Sequence, residues 1–413
     1  MNYFNVNHFL TVSQHGFLQG HSTCTNLLES INDWTINVRD GHYTRVAYID
    51  FAKAFDTVTH SKLLYKLRRL GIDGALLSTI ESFLTNRSQR VAINGTLSKS
   101  VSMKSGVPQG SVLGPILFLV YINDLADTFP ENITSKYFAD DAKIYTEVSS
   151  GDDIDKLQFS LDELTVWAEK WQLRISITKC FTFDVLPHRN SDIFYNNWIN
   201  DSELDTVTTA KDLGVLLDSK LKFHDHVLQV VAEAKKRNFL IYRCFCSRNI
   251  NTLIQGFKSY ILPMLNYCTP VWSPNLIQDI ELIESVQRTF TKRLPGLAHM
   301  TYFDRLNILN LPSLELRRLR NDLILCYKIL HKDVVGPPEK FGLFLSKRIS
   351  RGHNLKLEKQ CAPSEARKNL FGIRICNPWN SLPISVVNST SVLAFKTKLM
   401  KVDLTKFLVC FDC

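Results

Sequence analysis

The chain has 413 residues, is 45% apolar and 22% charged, and carries 17 glycines and 14 prolines. That composition excludes a disordered tail or a fibre and leaves a globular protein with room for roughly two to four structural units. No run of about 18 apolar residues occurs, which argues against a membrane-spanning helix, and the polar first twenty residues, with Asn2, Asn7, His8, Gln14 and His15, lack the apolar stretch of a signal peptide.

The net charge of +9 is unevenly spread. Residues 1–210 hold 18 Lys+Arg against 24 Asp+Glu, residues 211–330 hold 17 against 10, and residues 331–413 hold 14 against 6. An acidic front able to hold metal ions and a basic back able to hold a polyanion give these counts, and so does ordinary solvated surface. The ten cysteines include no paired CxxC motifs and no zinc-finger spacing. Reduced, mostly buried thiols are expected, with a single CxxC at Cys410 and Cys413.

In chain order, Leu27, Leu28, Ile31, Trp34 and Val38 recur at helical spacing and predict a helix over 22–38, capped by Ser22 or Thr23. A short apolar strand follows at 45–49. Helices are predicted over 60–70, closed by Gly71, and over 74–85. Residues 90–95 and 97–103 fit a hairpin around Asn94-Gly95. Pro115 fits the first turn of a helix in SVLGPILFLVYINDL. Residues 136–147 read as a hairpin with two aspartates at its tip, and 152–171 as an amphipathic helix. Short strands are predicted over 172–217 and helices over 224–246, 250–262, 279–292 and 313–331. The last eighty or so residues read as loops with a few short elements, closed by an amphipathic stretch at 391–400.

Charged residues inside apolar segments carry the chemistry. Asp50 ends the strand RVAYI, and Asp140 and Asp141 lie between SKYFA and AKIY. Half-buried carboxylates are costly without compensating positive charge. Three such groups on neighbouring strand ends are hard oxygen donors suited to Mg²⁺ or Mn²⁺. A solvated Asp-rich turn has the same pattern. The loop SGVPQGSVLGP offers a close-approach backbone at Gly106, Gly110 and Gly114 and an amide at Gln109, but lacks the GxxxxGK[ST] phosphate-loop pattern.

Together, YIDFAKAFDTVTHSKLLYKL, SGVPQGSVLGPILFLVYINDL, YFADDAKIY, WAEKWQLRISITKC and DLGVLLDSKLKF resemble five ordered blocks of the reverse transcriptases of non-LTR (LINE-type) retrotransposons. QHGFLQGHST resembles the block before them, and RICNPWNSLP at 374–383 the tail after the polymerase. The resemblance covers about residues 12–400, and the full ordered set is highly specific. It implies an α+β fold: a right-hand polymerase with an antiparallel palm sheet and packed helices, partial fingers and a helical thumb. The implied divisions are fingers and palm at 1–210, a primer-grip hairpin at 211–225, a thumb at 226–330 and a basic C-terminal region at 331–413.

The resemblance further implies that Asp50 and Asp140, with Asp141 beside them, hold two Mg²⁺ or Mn²⁺ ions. By position, Phe51 matches the residue whose backbone N–H faces the triphosphate, and Phe55 the bulky residue that excludes a ribose 2′-hydroxyl. Gln109 matches the glutamine at the template–nucleotide pair, and Lys179 the lysine near the departing pyrophosphate. A purely structural role would make Phe55 a core phenylalanine and Lys179 a solvated lysine at a strand end. On the predicted thumb helix, Lys235, Lys236, Arg237 and Arg243 would grip the duplex backbone without reading sequence. The implied partners are an RNA template, a DNA primer and deoxynucleoside triphosphates, with no membrane. The implied location is intracellular, with synthesis in the cytoplasm and integration in the nucleus.

The pattern breaks at Leu18 and His21. The family shows arginine directly after GF, where it would contact triphosphate oxygens, and a second basic residue three positions on. The chain also starts almost at this block, so an N-terminal truncation is expected. Two readings stand: an RNA-directed DNA polymerase, or a catalytically impaired remnant that retains nucleic-acid binding. A group II intron maturase fits less well, because the WNSLP tail points elsewhere.

Overall fold

The computed structural model describes residues 3–4, 7, 9–186, 195–347 and 352–410. Cys413, half of the terminal cysteine pair, lies outside them, and no disulfide joins the described cysteines. In order, the first elements are α1 (Thr23–Asp40), β1 (Tyr43–Ile49), α2 (His60–Arg69), α3 (Gly74–Leu84), α4 (Leu113–Ile122), β2 (Thr134–Phe138), β3 (Asp141–Val148), α5 (Gly151–Trp171), β4 (Phe181–Val185) and β5 (Asp205–Val207). They match the sequence reading closely, apart from end residues. Pro115 sits in the first turn of α4. The exposed hairpin after α3 keeps its Asn94-Gly95 turn, with both residues at positive φ. It forms two-residue ladders, Ser88–Gln89 with Val101–Ser102 and Ala92–Ile93 with Thr96–Leu97, whose residues are all exposed.

The main sheet has the order β5-β4-β1-β3-β2. All neighbours are antiparallel except β5 with β4. The result is a mixed α/β unit with a central, mostly antiparallel sheet flanked by helices. Six of the seven β1 residues are buried, as expected of a central strand. Leu157, Leu161, Leu164 and Trp167 of α5 join Leu63, Leu67, Phe118 and Tyr121 of α2 and α4 in the core beside it. Ser150 and Asp153 form a capping box at the start of α5. That leaves the first turn of the helix, and hence the end of β3, well fixed.

One core cation was not singled out from sequence. Lys66 of α2 is 7% exposed. Its ammonium donates to Asp124 Oδ1 at 2.6 Å and to the Tyr121 carbonyl, and lies 3.6 Å from the centre of the Trp171 ring. Burial pushes Lys66 down to about 8, against the opposing pull of Asp124. Between that value and its ordinary 10.5 the unfolded chain binds the proton that the folded one has lost, so this group's contribution to stability rises with pH. Relative to Lys66→Met, wild-type stability should therefore gain on the order of 3 kcal/mol from pH 7 to 10.5. Urea unfolding at several pH values reads the difference, and a flat difference contradicts the burial argument.

The chain divides into two compact units: residues 1–26 with 42–208, and residues 27–41 with 209–413. The second contains the hairpin β6 (Thr209–Asp212) and β7 (Val215–Asp218), followed by α6 (His224–Cys244), α7 (Ile250–Tyr260), α8 (Ile277–Lys292), α9 (Leu314–Leu330) and α10 (Val392–Leu399). α6 packs on α7 and α8, and α9 on α10. α6 stops two residues short of its predicted end, where Phe245 folds back over Gly256 of α7.

Residues 27–40 of α1 and Gly41 belong to this unit, and α1 meets the C-terminal region there. Arg367, 1% exposed, donates to Asn32 Oδ1 at 2.8 Å and Thr35 Oγ1 at 3.0 Å. The RICNPWNSLP segment is held by its own residues. Arg374 bonds Asp322 at 2.9 Å. Trp379 Nε1 donates to the Leu355 carbonyl at 2.7 Å. The Asn380 amide pairs with both backbone groups of Leu357, at 2.8 and 2.7 Å. No helix among the described residues is long and apolar enough to cross a membrane.

Candidate active site

The register of the central sheet assembles the site within the first unit. Ile49 at the end of β1 pairs with Ala142 of β3, which brings Asp50 beside the β2–β3 turn. That turn is a two-residue hairpin loop: Phe138 pairs with Asp141, and Ala139 with Asp140 forms the loop. Both Asp50 and Asp140 are half-buried. Burial holds the Asp140 carboxyl above its ordinary range, its own backbone N–H opposes this, and the like charge of Asp50 adds to it. Asp141, the first residue of β3, is exposed. Among the described residues, no three His, Cys, Asp or Glu side chains are grouped to hold a metal ion.

Lys179 ends a short 3₁₀ turn at Ile177–Lys179 and places its Nζ 3.4 Å from Asp50 Oδ1. Beneath it the Asp50 N–H donates to Cys180 Sγ at 3.4 Å, and burial pushes this thiol up to about 11. Phe51 is buried and forms an antiparallel bridge with Ile175. The bonds of that bridge come from its neighbours, with Ser176 N donating to Asp50 O and Ala52 N to Arg174 O. The Phe51 N–H therefore points away from residue 175.

Phe55 is half-buried, stacked on Phe118 with ring centres 4.2 Å apart and met edge-on by Phe17 at 6.2 Å. The loop with Gln109 folds onto the same turn. Val107 N donates to Phe55 O, Ser105 Oγ to Asp56 O at 2.9 Å, and Gln109 Nε2 to Asp56 Oδ1 at 2.9 Å. Gly106 has φ +86, and a Cβ there would lie 2.8 Å from the Asp56 backbone, so this approach requires glycine. The structure thus brings Asp50, Asp140 and Lys179 together, and Phe55 with Gln109 through Asp56.

In the second unit, Leu213 and Gly214 both have positive φ at the β6–β7 turn. The Tyr267 hydroxyl holds this turn by donating to the Leu213 carbonyl at 2.7 Å. On α6, Lys235, Lys236 and Arg243 are exposed. Arg237 is half-buried: it shares Glu233 with Lys236, at 3.5 and 3.9 Å, and also donates to the Tyr260 carbonyl at 3.3 Å. Sequence reasoning missed Asp56, whose only signal was its place in AKAFD, and Gln14, which bonds the turn carrying Asp140.

The sequence profile of the family described as Reverse transcriptase (RNA-dependent DNA polymerase) matches residues 2–242. The chain belongs to this reverse transcriptase family. Its matched region contains Asp50, Asp140, Asp141, Gln109 and Lys179 and ends within α6. This reverse transcriptase chain is 29% identical over 298 residues to the RNA-directed DNA polymerase from mobile element jockey of Drosophila melanogaster, covering 68% of this chain and 32% of that protein. It is 32% identical over 231 residues to the probable RNA-directed DNA polymerase from transposon BS of the same species, covering 52% and 24%. The chain thus spans a third or less of the length of these relatives. Among solved structures, the apo telomerase from Candida Tropicalis is 12% identical, with 80% of this chain and 51% of that chain covered and a TM-score of 0.42.

Proposed function

We propose that the chain is an RNA-directed DNA polymerase of the non-LTR retrotransposon type, which extends a primer 3′-hydroxyl along an RNA template with deoxynucleoside triphosphates. The observation that carries the reading is the meeting of Asp50 and Asp140 at the end of the central sheet in a member of the reverse transcriptase family. The donor chemistry fits divalent ions. Two half-buried carboxylates that repel each other are relieved by a hard cation between them. Asp50 and Asp140 would hold the two Mg²⁺ or Mn²⁺ ions, with Asp141 beside them. When bound, such ions lower the pKa of the attacking hydroxyl and stabilise charge on the leaving pyrophosphate.

The remaining assignments concern the chain's own side chains. Lys179, paired to Asp50 here, would turn to the triphosphate. Phe55, braced by Phe118 and Phe17, would exclude a ribose 2′-hydroxyl. Gln109 would touch the template–nucleotide pair, and the Phe51 N–H the triphosphate. On this reading residues 1–210 are partial fingers and palm, 211–225 a primer grip, 226–330 a thumb and 331–413 a basic tail. Exposed Lys235, Lys236 and Arg243 would contact duplex phosphates, with the salt dependence such contacts carry.

Extension of a labelled DNA primer on an RNA template tests the reading. Deoxynucleotides in Mg²⁺ should be incorporated in template order. Ribonucleotides, or chelation by EDTA, should give little product. Leu18 and His21 favour the second reading, a remnant that only binds nucleic acid. They also make a prediction: Leu18→Arg should lower the deoxynucleotide KM by about tenfold, the worth of one charge-assisted contact. An unchanged KM defeats the contact argument.

A further inference from the structure

We propose that Gln14 is a positioning residue for the turn that carries Asp140: its side-chain amide clamps the backbone of Ala139 and thereby fixes where the neighbouring carboxylate lies. The inference rests on reading Asp140 as a metal ligand. Ala139 has φ +60 and stands at the first central position of a two-residue hairpin, the place where glycine is ordinarily required. An alanine held there must be stabilised by its surroundings.

Gln14 supplies that hold. Its Oε1 accepts from the Ala139 N–H at 3.0 Å and from the Gly16 N–H at 2.6 Å, while its Nε2 donates to the Ala139 carbonyl at 3.3 Å. One side chain 125 residues away thus satisfies both polar backbone groups of the strained residue. Gln14 is 2% exposed, so water does not compete for these bonds. The backbone around it is fixed in register, with Tyr137 N donating to Ser13 O and His15 N to Tyr137 O, both at 2.9 Å. The fit leaves no slack: a Cβ on Gly16 would lie 2.3 Å from Ala139 N. The clamp therefore acts through Asp140 without touching substrate itself.

The test uses the whole chain as wild type, Gln14→Ala, Gly16→Ala and Ile80→Ala. The last removes core volume elsewhere in the same unit. Mn²⁺ affinity is read by the loss of the free-ion electron paramagnetic resonance signal, and kcat and KM by RNA-templated extension. Gln14→Ala and Gly16→Ala should each weaken Mn²⁺ binding and lower kcat by about 10- to 100-fold, the usual effect of losing a partner behind a metal ligand, with KM for deoxynucleotide within about threefold. Ile80→Ala should lower the melting temperature at least as much as Gln14→Ala, yet leave Mn²⁺ affinity and kcat near wild type. Ala139→Gly accepts positive φ unaided, so in that background Gln14→Ala should cost less. This pair also serves if Gln14→Ala alone fails to fold.

Equal Mn²⁺ affinity in wild type and Gln14→Ala, or equal losses in Gln14→Ala and Ile80→Ala, overturns the clamp. Absence of extension by the wild type overturns the polymerase reading instead, and the Mn²⁺ arm still decides the clamp.

Discussion

Asp140→Asn should lower the rate of RNA-templated primer extension by at least about 1,000-fold, equivalent to some 4 kcal/mol of transition-state stabilisation. The same change should raise the melting temperature. Catalytic loss with a stability gain is the signature expected here. The carboxyl of Asp140 is half-buried and sits beside the like charge of Asp50, so folding presses together two groups that gain nothing from each other. A neutral amide of the same shape removes that repulsion along with the ligand oxygen. Kinetics and thermal unfolding on one preparation check both halves. A variant that loses activity and stability together would place Asp140 in the framework of the turn and not in the chemistry.

The largest stability effect is expected under the sheet. Arg45 and Asp184 are direct partners across β1 and β4. The guanidinium makes two parallel bonds to the carboxylate, both 2.8 Å, and donates to the Tyr195 carbonyl. Arg45 is 2% exposed. Asp184→Ala would strand a buried guanidinium and cost about 3–5 kcal/mol. Replacing both partners, Arg45→Met with Asp184→Leu, should cost far less, because neither charge is then left behind. Urea unfolding of Arg45→Met, Asp184→Leu and the double variant gives the coupling between them. A loss below about 1 kcal/mol in Asp184→Ala contradicts the account, since that is the range of an exposed pair.

The candidate acidic site was visible in the sequence because Asp50, Asp140 and Asp141 end or link apolar segments, and helical spacing, short apolar runs and turn residues located nearly every element around them. What stayed hidden depends on partners far apart in the chain. Arg45 reads as one charged residue at the start of a strand until Asp184, 139 residues on, is known to lie opposite. Gln14 bonds to backbone, and backbone leaves no mark in composition. Lys66 sits among basic residues that look solvated, although three aromatic rings and Asp124 surround its ammonium. The apolar stripe of α1 showed that one face is buried, but not that residues 27–41 join the C-terminal region through Arg367. Arg237 looked equivalent to its lysine neighbours, and only the fold shows it half-buried and turned to the Tyr260 carbonyl.

Single-nucleotide incorporation opposite each of the four RNA template bases, compared between wild type and Asp140→Asn, bears most directly on the assignment. Template-matched incorporation by the wild type that vanishes in the variant is the predicted result. Equal incorporation by both proteins would contradict it.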